Sequence, residues 1–305
     1  MSRTQKSASK DLVVGLGATG LSIARYCQRS DIKATFFDTR DEPPGMEELG
    51  KICPGAKVLL GDIKLPRGIE RIIVSPGVSD SHPLLAKAHK KKIEVISDIE
   101  LFSRLANAPF IGVTGSNGKS TVTTLLYHMC RADGRVVLAG GNLGEPALDL
   151  LSQETPDVYV LELSSFQLHR TQNLPAEVAV LLNVSPDHLD WHADEDEYRR
   201  AKYRIYREAK SAVLDRADKV AAQHASQCQR VISFGADAPD IGHYGLRIDN
   251  GESYLAQGET LLLAASELAM YGVHNQLNAL AALAAGDLLG LDMAAMLRVL
   301  VEFPG

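Results

Sequence analysis

Long basic runs, paired cysteines and membrane-length apolar stretches are all missing from this 305-residue sequence. The formal net charge is −6 and the longest basic run is Lys90, Lys91 and Lys92, so no cationic patch serves nonspecific nucleic-acid binding. That run sits between a helical and a strand-like pattern, where a solvated surface is expected. The four cysteines, Cys27, Cys53, Cys130 and Cys228, are scattered with no C-x-x-C spacing. Reduced thiols are expected, not a disulfide framework. The first ten residues are polar and lack the apolar centre of a signal peptide. No apolar run approaches the roughly 20 residues of a membrane span. A cytoplasmic protein with no membrane partner is therefore expected. Repeats and low-complexity segments are absent too.

What is present is an ordinary globular composition, 45% apolar and 23% charged, with length enough for two buried cores. Strand-like and helical segments alternate along the chain, which predicts an α/β protein with parallel sheets. The pattern gives strands near residues 12–15, 34–38 and 71–75 and helices over 20–29 and 82–91. Ser97 or Asp98 then caps a helix over 99–105. A first domain is placed at 1–97 and a second at 98–305. In the second, strands are expected at 109–113, 136–139, 158–163, 178–183, 212–215 and 230–234. A long charged helix is expected over 195–210, hairpins over 242–263, and an Ala/Leu-rich helix over 275–290.

Residues 112–121 read GVTGSNGKST between an apolar run and an apolar-periodic segment. Strand, glycine loop and helix in that order let backbone N–H groups and a helix N-terminus cradle phosphates. Lys119 would give a positive charge to the β/γ-phosphates, and Ser120 or Thr121 a hydroxyl to Mg²⁺. The strict pattern would place its first glycine at 113, which is Val113, so the loop departs from that of the common NTPases. Downstream, Glu162 ends an apolar strand. A buried carboxylate needs a partner, either a cation beside the phosphate loop or a structural hydrogen-bond donor. His188, flanked by Asp187 and Asp190, follows another apolar strand and so reaches the same edge. Lys202 falls within the apolar arc of Tyr198, Ala201, Ile205, Tyr206 and Ala209 at helical spacing. It is either paired or modified there, or it snorkels with only its stem buried.

The first domain carries its own signature, Gly15, Gly17 and Gly20 between strand and helix, with Asp38 closing the next strand. This spacing fits a dinucleotide such as NAD, another phosphorylated nucleotide, or a plain turn. Thr39 and Arg40 follow directly and could grip polar groups of a nucleotide. Ser75, Pro76 and Gly77 follow a further strand on the same carboxyl edge.

These residues together resemble the Mur ligase family. The likeness rests on TGSNGKST at 114–121, GGNLG at 140–144, LELSSFQL at 161–168, Asn183 with Asp187, His188 and Asp190, YRRAK at 198–202 and HNQLN at 274–278. The LELSSFQL run points to the D-glutamate-adding branch. The resemblance implies a Rossmann-like UDP-binding domain followed by a P-loop-type ATPase domain. It implies ATP and two Mg²⁺ as cofactors, no NAD, and UDP-N-acetylmuramoyl-L-alanine and D-glutamate as substrates. ATP would be held by Gly115, Ser116, Asn117, Gly118, Lys119, Ser120 and Thr121, with Asn275 and Asn278 on the adenine side. The UDP substrate would meet Ala18, Thr19, Thr39, Arg40, Ser75, Pro76 and Gly77, and farther along Asn142, Ser164, Gln167 and His188. Ser120, Thr121 and Glu162 resemble one metal site, and His188 with Lys202, as a carbamate, the other. Lys119, His188 and Lys202 are the implied catalytic residues.

Family members continue into a third domain that receives the amino acid, whereas this sequence stops at Phe303, Pro304 and Gly305. The expectation is therefore a monomeric two-domain portion that binds the UDP substrate, holds ATP weakly and does not ligate. An NAD-dependent oxidoreductase would leave Lys119, Glu162, His188 and Lys202 unexplained. A non-catalytic nucleotide-binding module is the remaining alternative.

Overall fold

Short strands with every residue buried lay down the architecture. The computed structural model describes residues 10–61, 64–185 and 191–303, and every statement below concerns these. β1 (Asp11–Val14), β6 (Phe110–Thr114), β8 (Val158–Glu162) and β9 (Val178–Leu181) are buried along their whole length. Such strands belong inside parallel sheets covered by helices on both faces.

The chain divides into two units, one running to Leu105 and including Pro146–Gln153, the other formed by Ala106–Glu145 and the residues from Glu154 onward. In the first, β1, β2 (Ala34–Asp38), β3 (Lys57–Leu60), β4 (Arg71–Val74) and β5 (Glu94–Ser97) form a parallel sheet in the order β3-β2-β1-β4-β5. Its helices are α1 (Ala18–Arg29), α2 (Met46–Ile52), α3 (Pro83–Lys90) and α4 (Asp98–Leu105). Ser97 Oγ accepts from the Glu100 amide at 3.0 Å, the cap that the sequence suggested. That helix falls within the first compact unit, which runs on to Leu105.

The second unit has a parallel sheet in the order β11-β10-β9-β6-β8-β7. Between β6 and β8 run α5 (Lys119–Ala132), β7 (Val137–Gly141) and α6 (Ala147–Leu150), and between β8 and β9 lies α7 (Ser165–His169). Then come α8 (Glu195–Tyr203), β10 (Ser211–Asp215), α9 (Lys219–Ala225) and β11 (Arg230–Phe234). The hairpins expected over 242–263 are an antiparallel sheet of β12 (Tyr244–Asp249), β13 (Glu252–Gln257) and β14 (Thr260–Ala264). α10 (Val273–Leu289) and α11 (Met293–Glu302) close the unit.

α10 is apolar nearly all round and packs into the core with Leu125, Leu126 and Met129 of α5. Each fully buried leucine there, Leu283 for example, contributes roughly 1.5–3 kcal/mol. α8 is shorter than the expected helix over 195–210. A 3₁₀ turn (Arg204–Tyr206) follows it, Arg207 turns extended, and Glu208 takes a positive φ of 60°, so the chain leaves the helix to enter β10.

Although α6 lies between β7 and β8 in sequence, it belongs to the first unit. Its Asp149 carboxylate accepts from Arg25 Nε at 3.0 Å and Nη2 at 2.6 Å, and Arg29 donates to the Leu148 carbonyl at 3.1 Å. The four cysteines are free thiols, and burial above all pushes Cys27 up to about 12. Among the described residues no helix is long and apolar enough to cross a membrane.

Candidate active site

The order of the second sheet brings the site together. β6 lies between β8 and β9, with Val113 opposite both Glu162 and Val180. The chain runs from β6 to one side for β7 and β8, then to the other for β9 and β10. The carboxyl ends of β6 and β9 thus flank a switch point, where open α/β sheets bind ligands.

The glycine loop leaves β6 there and opens α5 at Lys119, in the expected order of strand, loop and helix. Gly118 is the N-cap, with a positive φ of 83° and no side-chain cap for the first turn. The first amides of a helix have no intrahelical acceptor, so this end suits an anion. A Cβ on Gly118 would lie 2.3 Å from Asn278 Oδ1, so α10 packs directly on the loop. Asn278 Nδ2 donates to Asn275 Oδ1 at 3.3 Å, placing the two expected asparagines side by side. Lys119 Nζ donates to the carbonyls of Gly115 at 2.9 Å and Ser116 at 3.0 Å.

Glu162, 2% exposed, supplies the carboxylate. Ser120 Oγ donates to its Oε2 at 2.8 Å, and Asn142 Nδ2 to its Oε1 at 2.7 Å. The serine hydroxyl and the carboxylate are hard oxygen donors, the kind magnesium takes. Among the described residues no group of three or more His, Cys, Asp or Glu could hold a metal ion. Ser120 and Glu162 are thus the described residues that would hold a magnesium ion at this loop. Thr121 lies one residue farther along the same first turn.

Lys202 settles between its alternatives. It is 2% exposed, its Nζ donates to the Gly115 carbonyl at 2.7 Å and lies 4.8 Å from the Tyr198 ring centroid. The whole side chain is buried against the phosphate loop, so it does not snorkel. Tyr198 OH shares a 2.8 Å hydrogen bond with Ser116 Oγ and joins the same helix to the loop. Ser164 and Gln167 turn to each other in a capping box at the start of α7, the Ser164 amide donating to Gln167 Oε1 at 3.0 Å. Asp187, His188 and Asp190 lie outside the described residues.

Two arrangements had no role assigned to them from sequence. Asn183, just beyond β9, is hydrogen bonded to the phosphate loop through both main chain and side chain. Ser165 Oγ stands 3.0 Å from His192 Nε2, and His192 Nδ1 is 3.6 Å from Glu197 Oε2. The latter has the order of a hydrolytic triad, yet Ser165 and His192 are each 2% exposed beneath Phe166, Trp191 and Tyr198. A serine so buried is closed to a substrate carbonyl, and the contact ties α7 to the segment that leads into α8.

In the first unit, Ala18 and Thr19 open α1, Thr39 and Arg40 follow β2, and Ser75, Pro76 and Gly77 follow β4, all at the carboxyl edge of one sheet. Asp38 does not offer its carboxylate to a ligand. Oδ2 accepts from the Leu16 amide at 2.7 Å and Arg40 Nη2 at 2.8 Å, and Oδ1 from Arg40 Nε at 2.9 Å and its amide at 3.0 Å. Burial alone would raise this carboxyl group, but the bonds from Arg40 and Leu16 outweigh it and hold it at about 2. A ribose-gripping acid needs free lone pairs, and both oxygens here are engaged.

Two parallel sheets, each with a glycine loop at its carboxyl edge and one with lysine, hydroxyl and carboxylate gathered there, match a defined class. Residues 113–286 match the Mur ligase middle domain and residues 9–97 the Mur ligase MurD-like N-terminal domain, and the chain belongs to the Mur ligase family. Within it, the chain is 46% identical over 300 residues to a UDP-N-acetylmuramoylalanine–D-glutamate ligase of Nitrosococcus oceani, covering 98% of this chain and 66% of that one. The ligase of the same name from Legionella pneumophila is 44% identical, with 96% and 67% covered. The chain thus spans about two thirds of the length of these relatives.

Solved structures share the fold. A UDP-N-acetylmuramate:L-alanyl-gamma-D-glutamyl-meso-diaminopimelate ligase from Neisseria meningitides superposes with a TM-score of 0.64 at 17% identity, covering 98% of this chain and 99% of that one. A UDP-N-acetylmuramate-alanine ligase from Thermotoga maritima gives 0.58 at 22% identity, with 97% and 69% covered.

Proposed function

We propose that this chain is the substrate-binding and phosphoryl-transfer portion of an ATP-dependent ligase of peptidoglycan synthesis, joining D-glutamate to UDP-N-acetylmuramoyl-L-alanine. The observation that carries the reading is the buried Glu162 bonded to Ser120 of the phosphate loop, with Lys119 and the buried Lys202 against the same loop. The D-glutamate ligases at 44–46% identity support the choice of substrates.

In this reading ATP phosphorylates the substrate carboxylate to an acyl phosphate, the amine of D-glutamate attacks, and phosphate leaves. Both reactants are anions, so the work is positioning and charge neutralisation. Lys119 exchanges its loop carbonyls for the β/γ-phosphates. Magnesium would supply further neutralisation when bound: Ser120, Thr121 and Glu162 would hold one ion, and His188 with Lys202 as a carbamate would hold a second. Asn275 and Asn278 take the adenine side. Ala18, Thr19, Thr39, Arg40, Ser75, Pro76 and Gly77 take the uridine diphosphate, while Asn142, Ser164, Gln167 and His188 meet the muramoyl-peptide end. The locked Asp38 disfavours NAD in the first loop. We place the protein in the cytoplasm, working as a monomer.

For residues 1–305 taken alone, the expected properties are UDP-substrate binding, weak ATP binding and no ligation. Calorimetry with UDP-N-acetylmuramoyl-L-alanine tests the assignment. Wild type should bind and Arg40→Ala should lose about tenfold or more in affinity, the worth of a charged hydrogen bond. Equal affinity would remove the uridine site from this edge, and D-glutamate-dependent phosphate release by residues 1–305 would overturn the expected inactivity.

A further inference from the structure

Asn183 meets the phosphate loop with the geometry of a neighbouring strand. Its main-chain carbonyl accepts from the Ser116 amide at 2.9 Å. Its side-chain Oδ1 accepts from the Asn117 amide at 2.9 Å, and its Nδ2 donates to the Asn117 carbonyl at 3.0 Å. Two residues on, the Ser185 amide donates to Ser116 Oγ at 3.0 Å, and Ser116 Oγ stands 3.0 Å from the Ser185 carbonyl. The segment after β9 and the loop after β6 are stitched together across the switch point.

Two consequences follow for an anion at this loop. The amides of Ser116 and Asn117 are already engaged, so phosphate is left to the amides around the uncapped first turn of α5. The loop carbonyls, which would repel phosphate, are each tied by a nitrogen donor. Gly115 is held by Lys119 and Lys202, Ser116 by Lys119, and Asn117 by Asn183. When Lys119 turns to the phosphates, the tie from Asn183 to the Asn117 carbonyl remains.

We infer that Asn183 is a positioning residue for nucleotide binding. It keeps the Asn117 carbonyl turned away from the phosphates and fixes the loop so that the first-turn amides of α5 converge on them. The inference rests on the ATP-site reading above. Asparagine is suited to the task because its amide presents one donor and one acceptor to a single peptide. Aspartate would keep the acceptor for the Asn117 amide, but would set a carboxylate oxygen against the Asn117 carbonyl.

MgADP titration of the 305-residue protein, beside Lys119→Ala, Asn183→Ala and Asn183→Asp, tests it. Wild type should bind and Lys119→Ala should not. Asn183→Ala should bind about tenfold more weakly and Asn183→Asp more weakly still. Thermal midpoints should stay within about 4 °C of wild type, while amide exchange at Ser116 and Asn117 in ligand-free protein accelerates in both Asn183 variants. Wild-type affinity in Asn183→Asp, with Lys119→Ala inactive in binding, overturns the positioning role and leaves the ATP site standing. Failure of wild type to bind MgADP, or equal binding by Lys119→Ala, overturns the ATP-site reading and the positioning role with it.

Discussion

The loop after β1 and the loop after β6 both leave the carboxyl end of a buried parallel strand, turn on glycines and open a helix whose N-cap has no side-chain cap. They differ in what surrounds that backbone. Around the first, the nearby acid, Asp38, is closed by Arg40 and the Leu16 amide, and no lysine follows the last glycine. Around the second stand Lys119, Ser120 and Glu162, with Lys202 behind. A glycine turn at a helix N-terminus supplies a place for an anion. The side chains around it decide whether that place suits phosphoryl transfer or only holding a ligand.

The largest effect expected from probing this contrast is steric. A Cβ on Gly20 would lie 1.9 Å from the Gly15 carbonyl oxygen, whereas one on Gly17 meets nothing within 4 Å. Gly20→Ala should cost about 3 kcal/mol or more in chemical denaturation, and Gly17→Ala under about 0.5 kcal/mol. Similar losses would mean that helix and strand are farther apart than described. Next comes Lys119→Ala, which should abolish measurable MgADP binding, a loss of about 100-fold or more, and leave UDP-substrate affinity unchanged. A loss of both ligands would end the idea of two separately specialised loops. Glu162→Gln keeps the shape and removes the charge, so the magnesium dependence of ADP binding should weaken about tenfold, read from titrations with and without the metal.

The smallest effect concerns acid stability. Asp38 is held at about 2 in the native state, below its unfolded value near 4. Its contribution is therefore complete above about pH 4 and disappears as pH falls through 2. Arg40→Ala should raise the native value, cost on the order of 1 kcal/mol at neutral pH because Arg40 is half in water, and flatten the stability profile between about pH 4 and 2. Urea midpoints measured across that range would show no such flattening if Leu16 alone held the carboxylate.

Much of the fold was legible because apolar strands and helical periodicity are local properties. β6 and α5 were readable for that reason, as was the hairpin region that became β12 to β14. The end of α8 was not, since Glu208 breaks the helix by a backbone turn that leaves no strong mark in composition. The loop contact of Asn183 was not legible for a different cause. Its partners lie some 66 residues earlier, and only the β9-β6-β8 order brings them within reach. The Lys202 burial showed in its helical face, whereas its Gly115 contact depended on the same tertiary order.

Chain order and physical allegiance disagree at α6. A gene divided at codon 106 would send those residues away with the second unit, carrying the apolar side chains of Ala147, Leu148 and Leu150 and stripping Asp149 of its arginines. The two units are separate as folded bodies but not as reading frames, so no single cut in the gene would inherit either one whole.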